Sequence, residues 1–213
     1  MLGVKICGLS TPDTVRAALD GGASHLGFMF FANSPRNIDP ESAARLVGPV
    51  RGTATKTVAV TVDPDDAFLD RLMAMFKPDL IQLHGKETPS RVAAVAERTG
   101  IGVIKVLSVS DATDIGAAKA YEGVVEHLMF DAKAPKSFDR PGGTGARFDW
   151  TLMSGQSFQR PWFLAGGLDP WNVIEAISQS GAPMVDVSSG IERGPGLKDP
   201  ALITAFLEAV RRV

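Results

Sequence analysis

The chain has 213 residues, 22 Lys plus Arg against 24 Asp plus Glu, and 45% hydrophobic side chains. That length suits one large domain or two small ones, and a net charge of −2 excludes any bulk electrostatic case for nucleic acid or an acidic membrane as partner. One cysteine excludes an internal disulfide, no Cys or His cluster has zinc-ligand spacing, and neither a basic leader nor an apolar run near the roughly 18 residues of a membrane span is visible, so a cytoplasmic, reducing setting without a structural metal is expected.

In chain order, eight short apolar or β-branched runs read as strands: "VKIC", "HLGFMFF", "KTVAVTV", "LIQLH", "VIKVLSV", "HLMFDA", "WFLAG" and "MVDVSS". Between them stand helix-start markers. An Asp or Thr caps orphan N–H groups, and the Pro that follows sits where its missing donor costs nothing. The pairs are Thr11-Pro12, Asp39-Pro40, Asp63-Pro64, Thr88-Pro89, Asp169-Pro170 and Asp199-Pro200, with Ser110-Asp111 as a start that lacks the proline. Apolar residues then follow a helical period, as at Leu69, Leu72, Met73 and Phe76, or Leu202, Ile203, Phe206, Leu207 and Val210. Strands alternating with helices imply parallel pairing, and eight such units close into a (β/α)₈ TIM barrel covering residues 1–213 as a single domain. An open doubly wound sheet is the alternative, weakened because no Gly-rich nucleotide fingerprint follows the first strand. The segment "KAPKSFDRPGGTGARFDW" resembles a linker most, and in a barrel it is a long loop leading to a short helix.

In a barrel, reactive groups come from the C-terminal strand ends and the loops after them. Cys7 ends strand one, Arg36 follows strand two in "FFANSPR", His84 ends strand four, and Asp131 lies near the end of strand six. Residues two apart share a strand face, so Lys5 and Cys7 point inward together, as do Asp186 and Ser188 on strand eight. Strands one and eight are neighbours in a closed barrel, which makes Lys5 and Asp186 candidates for a buried ion pair. Two glycine-rich loops end the last strands: "AGGLDP", with Gly166 and Gly167, and "SSGIERGPG", with Ser188, Ser189 and Gly190. Glycines let backbone N–H groups approach an anion, and these are the two barrel loops where phosphate commonly binds. With Arg193 as the only nearby cation expected, backbone groups would do most of that binding. Gly142, Gly143 and Gly145 suit either a simple turn or a flap beside Asp131. His25 and His127 open strands at the stability face and receive no chemistry, and Trp150, Trp162 and Trp171 are expected to pack.

Taken in order, "KICGL", "FFANSPR", "LIQLHG", "FDAK…GGTG…FDW", "LAGGLDPWNV" and "DVSSGIERGPGLKD" resemble the phosphoribosylanthranilate isomerases of tryptophan biosynthesis, over residues 4 to 199. The resemblance implies a barrel without cofactor that catalyses an Amadori rearrangement of N-(5-phosphoribosyl)anthranilate. It also implies Cys7 as general base, Asp131 as general acid and Arg36 near the anthranilate carboxylate; beside these, His84, read as a hydrogen-bonded strand-end residue rather than an acid or base, Gly143 and the two phosphate loops are expected to contact the substrate. The partner is then a small phosphorylated molecule, and the protein a monomer or homodimer. At pH 7 an unperturbed thiol is about 3% ionised and an unperturbed Asp about 0.1% protonated, so the site must assist both. Rival readings are the related aminoaldose isomerase of histidine biosynthesis, which uses an aspartate where Cys7 stands, and a barrel that binds a phosphorylated ligand without turnover.

Overall fold

The computed structural model describes residues 2–134 and 142–213, so the middle of the loop after the sixth strand, 135–141, lies outside the described residues. The eight apolar runs form β1 (Gly3–Cys7), β2 (His25–Phe30), β3 (Lys56–Thr61), β4 (Leu80–Leu83), β5 (Gly102–Val109), β6 (His127–Ala132), β7 (Trp162–Leu164) and β8 (Met184–Val187). They pair in sequence order, all parallel, and β8 closes onto β1. Alternation along each strand separates two cores. Inward residues such as Val58, Val60, Ile104, Val106, Met129 and Phe163 fill the barrel with Cys7 and Ala165. Outward residues such as Ile6, Leu26, Phe28, Ile81, Leu128 and Phe130 share a second core with the inner stripes of the helices, among them Leu69, Leu72, Val92, Val95, Ile203 and Phe206. A one-residue register slip would exchange these sets, so the two-sided burial fixes register strongly.

The helices are α1 (Pro12–Asp20), α2 (Pro40–Leu46), α3 (Asp66–Met75), α4 (Pro89–Thr99), α5 (Ala112–Gly116), α6 (Val173–Ser180) and α7 (Pro200–Val210). Thr11, Asp39, Thr88 and Asp199 cap their helices as expected, each side chain accepting from a backbone N–H of the first turn. Each such cap is worth about 1 kcal/mol. Asp111 caps α5 in a reciprocal box with Asp114. Two markers are displaced. Asp63 takes a positive φ of 45°, and α3 starts after the next aspartate, Asp65, whose side chain accepts from Phe68 N. Asp169 instead closes a turn on Trp171 N and Asn172 N, and α6 begins only at Val173. At Asp169 the side-chain turn holds the chain before it can enter the helix, whereas the Asp63 carboxylate is drawn away to Lys86 N and leaves the capping role to Asp65. The short helix after β6 is a single 3₁₀ stretch, Trp150–Met153. A small hairpin, β9 (Glu192–Gly194) with β10 (Leu197–Lys198), decorates the loop after β8.

Trp150 and Trp162 are buried, but Trp171 is 79% exposed, against expectation. The turn that Asp169 closes leaves the indole ahead of α6, off the stripe that packs. At the N-terminal end of the barrel, His25 and His127 meet edge to face at 5.8 Å, and both rings lie against Phe163. Burial, reinforced by the neighbouring His127, pushes His25 down to about 3. Among the described residues no helix is long and apolar enough to cross a membrane.

Candidate active site

β1 delivers two inward side chains two residues apart. Register places Lys5 opposite Asp186 on β8 and Cys7 opposite Gly27 on β2. Lys5 is fully buried, and its Nζ donates to Asp186 Oδ1 at 2.7 Å, so the expected ion pair is present directly beneath the rim. Burial alone would push the Lys5 ammonium down, but the Asp186 carboxylate and then Cys7 hold it above its ordinary value. For Cys7 the balance reverses. Burial pushes the thiol up, Lys5 opposes that, Asp186 adds to it, and Lys198 opposes it more weakly. The resting group is therefore a thiol with a fixed ammonium behind it. Gly27 leaves room for that arrangement, since a Cβ there would stand 3.0 Å from Lys5 Nζ and 3.1 Å from Cys7 Sγ.

β6 carries Asp131, buried and facing the same pocket as Cys7. Its Oδ2 lies 3.2 Å from His84 Nε2. That distance permits an ionic contact if the imidazole is protonated, but Nε2 is not aimed along a hydrogen bond and has no other acceptor or donor among the described residues. His84 Nδ1 faces Gln82 Nε2 at 3.4 Å, two residues back on the same strand face. Gly142 covers the pair, because a Cβ at that position would come within 2.6 Å of His84 Cε1 and 2.7 Å of Asp131 Oδ2. The loop thus approaches the carboxyl with bare backbone.

Arg36 is not a solvated turn residue but is 4% exposed. Its Nε and Nη2 donate to Glu192 Oε1 and Oε2 at 2.7 and 2.8 Å, and Nη2 also reaches Gly143 O at 3.3 Å. The side-on edge of the guanidinium, which a bidentate substrate carboxylate would use, is already taken. A second cation completes the cluster. Lys198 Nζ donates to Glu192 Oε1 at 2.7 Å, to Ser188 O at 2.7 Å and to Ser188 Oγ at 3.2 Å. Burial pushes Lys198 down to about 8 in spite of Glu192. Burial would raise Glu192, yet the Arg36 hydrogen bond and the Lys198 charge hold its carboxyl below the ordinary range. The expectation of Arg193 as the only cation near this loop is therefore corrected. Arg193 points outward to Asp199 with most of its side chain exposed, while Lys198 returns through the β9–β10 hairpin.

The two glycine-rich loops complete the rim. Gly166 and Gly167 have φ of +90° and +64°, and a Cβ on Gly166 would meet Ala132 N at 2.6 Å, so only glycine lets this loop run against β6. Gly166, Gly167, Ser188 and Ser189 line one pocket with Cys7, Arg36, His84, Asp131 and Gly143. Gly190 stands behind the lining, packed on the Leu168 carbonyl. Nine of the ten expected site residues therefore converge on one cavity. Beyond Glu192 and Lys198, sequence reasoning missed a buried pair, Lys105 Nζ to Glu87 Oε2 at 2.5 Å. Glu87 Oε1 also accepts from Asp63 N and Gly85 N, which ties the loop that carries His84 to β5 and to the loop after β3. A lysine inside "VIKVLSV" repeats the pattern of Lys5 inside "VKIC" and was the available signal. Among the described residues, no group of three or more His, Cys, Asp or Glu is arranged to hold a metal ion.

Cys7, Arg36, His84, Asp131 and the two glycine-rich loops stand at or just beyond the C-terminal ends of the strands, the face on which barrels carry out chemistry, so fold and site together define a (β/α)₈ barrel enzyme. Residues 4–209 match the family model described as N-(5'phosphoribosyl)anthranilate (PRA) isomerase, and the chain belongs to that family. It is 68% identical over 213 residues to N-(5'-phosphoribosyl)anthranilate isomerase of Caulobacter sp. (strain K31), covering 100% of both chains. Among solved structures it is similar to phosphoribosyl anthranilate isomerase from Thermotoga maritima, with a TM-score of 0.88, 33% identity and 100% of each chain covered. It is also similar to a phosphoribosyl anthranilate isomerase in complex with reduced 1-(o-carboxyphenylamino)-1-deoxyribulose 5-phosphate, with a TM-score of 0.84, 31% identity and 100% of each chain covered.

Proposed function

We propose that the barrel converts N-(5-phosphoribosyl)anthranilate to 1-(2-carboxyphenylamino)-1-deoxyribulose 5-phosphate with Cys7 as base and Asp131 as acid. The observation that carries this reading is the placement of a thiol and a carboxyl in one pocket beside two glycine-rich loops. Asp131 delivers a proton to the ring oxygen, the C1–O bond breaks, and the anilino nitrogen lone pair leaves an iminium at C1. That iminium acidifies the C2–H bond. Cys7, as the thiolate, takes the C2 proton, and the electron pair forms an enolamine that tautomerises to the ketone. Each proton transfer by a positioned group contributes about 10² to 10⁴ in rate.

The phosphate sits on the backbone N–H groups of the loops that hold Gly166, Gly167, Ser188, Ser189 and Gly190. Arg36 meets the anthranilate carboxylate through Nη1, because Glu192 holds Nε and one Nη2 hydrogen and the Gly143 carbonyl takes the other. Lys5 behind Cys7 favours the thiolate. The protein works in the cytoplasm as a monomer or homodimer, which sedimentation at working concentration would check. Freshly prepared phosphoribosylanthranilate should lose its anthranilate fluorescence on addition of the protein, with the ketose product identified by NMR. Tight binding of the reduced product analogue without any turnover would instead make it a binding barrel.

A further inference from the structure

The Arg36–Glu192–Lys198 cluster contains two cations and one carboxylate, with side-chain exposures of 3%, 5% and 1%. Two segments far apart in sequence meet in it: the loop after β2 and the β9–β10 hairpin within the loop after β8. Glu192 is the only residue that contacts all the others. Both its oxygens accept from Arg36, Oε1 also accepts from Lys198, and Oε2 accepts from Gly196 N at 3.3 Å. Arg36 lines the pocket and Glu192 does not. A long arginine side chain at a loop has several rotamers available, and a carboxylate gripping Nε and Nη2 together selects one of them. In that rotamer Nη1 lies directly against Gly143, and both residues line the pocket. The cluster also carries one unbalanced positive charge in a poorly solvated place, which favours an incoming anion.

We infer that Glu192 is a positioning residue for substrate selection: by holding Nε and Nη2 of Arg36 it fixes the rotamer that presents Nη1 to the substrate, and so makes the site selective for an N-aryl sugar phosphate bearing a carboxylate on the ring. This rests on the proposed contact between Arg36 and the substrate carboxylate. Lys198 keeps Glu192 in place and joins it to Ser188 at the start of the phosphate loop. The aryl end and the phosphate end of the site are thereby set by one chain of charges. Glu192 itself touches no substrate.

The test uses two ligands, the reduced product analogue with its ring carboxylate and the same compound made from aniline, titrated calorimetrically into the parent, Glu192→Gln and Arg36→Met proteins. Removing or misaiming a charge-assisted hydrogen bond should weaken binding of the carboxylate ligand about ten- to hundredfold in both variants. The aniline compound should change by less than about threefold. Combining both substitutions should cost no more than Arg36→Met alone, since Glu192 acts only through Arg36. If Arg36→Met discriminates between the ligands and Glu192→Gln does not, the inference is overturned and the carboxylate contact stands. If Arg36→Met affects both ligands alike, the carboxylate contact itself is wrong and the inference falls with it. Should Glu192→Gln fail to fold, Glu192→Asp carries the same test, with a smaller but still carboxylate-specific weakening expected.

Discussion

Replacing Lys5 by Met removes the cation from a pair whose atoms are 2.7 Å apart and whose lysine side chain is fully buried. Breaking a buried ion pair from one side typically costs about 3 to 5 kcal/mol, because the remaining charge has neither partner nor water. Asp186 keeps 10% side-chain exposure and lines the pocket, so some water reaches it and the lower figure, about 3 kcal/mol, applies. For a chain of this size that is a fall in Tm of about 6 to 12 °C. The pH dependence has a definite sign. An uncompensated buried carboxylate costs most where it is charged, so the deficit should be larger at pH 8 than at pH 5. Urea unfolding of the parent, Lys5→Met, Asp186→Asn and Lys5→Met/Asp186→Asn at both pH values measures this. The double variant should recover at least half of the deficit. A single variant within about 0.5 kcal/mol of the parent at both pH values would refute the reasoning, as would a double variant whose cost is the sum of the singles. Since Lys5 opposes the upward push of burial on Cys7, alkylation of that thiol should also need a higher pH in Lys5→Met.

Holding His25 near a pKa of about 3 while the unfolded chain titrates near 6.5 means that the unfolded state binds more protons between those values. Stability should therefore fall as pH falls through that window, by about 2 kcal/mol at pH 5 from this residue. His25→Leu should flatten the acid limb of a stability profile, and an unchanged slope would exclude the residue as its source. Gly142→Ala would bring a Cβ within 2.7 Å of Asp131 Oδ2, so kcat should fall about tenfold or more through a displaced acid while Tm stays within about 2 °C. Unchanged kcat would mean that the loop does not need this approach.

Much of the site was legible because period-2 alternation and barrel closure are strong constraints. Knowing that Lys5 and Cys7 share a face, and that β1 adjoins β8, was enough to pair Lys5 with Asp186 and to put Cys7 at the rim. What stayed hidden depended on loop return paths. Lys198 lies ten residues beyond Ser188 in sequence, and only the hairpin turn brings its ammonium back to the Ser188 carbonyl. Glu192 looked like a loop acid, and its grip on Arg36 spans 156 positions. The displaced helix starts have different causes: before α3 the Asp63 carboxylate is drawn to Lys86 N and Asp65 caps instead, while before α6 Asp169 first holds Trp171 N and Asn172 N in a turn. Trp171 was misplaced for that reason, since its expected burial assumed a helix that in fact begins only after it, at Val173.

The separate roles of Asp131 as acid at the ring oxygen and Cys7 as base at C2 are tested most directly by kcat/KM for phosphoribosylanthranilate, followed by fluorescence, in the parent, Cys7→Ala and Asp131→Asn proteins. Each substitution should lower kcat/KM by about 10² or more while the reduced product analogue still binds within about tenfold of the parent. A Cys7→Ala protein retaining activity within about tenfold of the parent would show that another group takes the C2 proton.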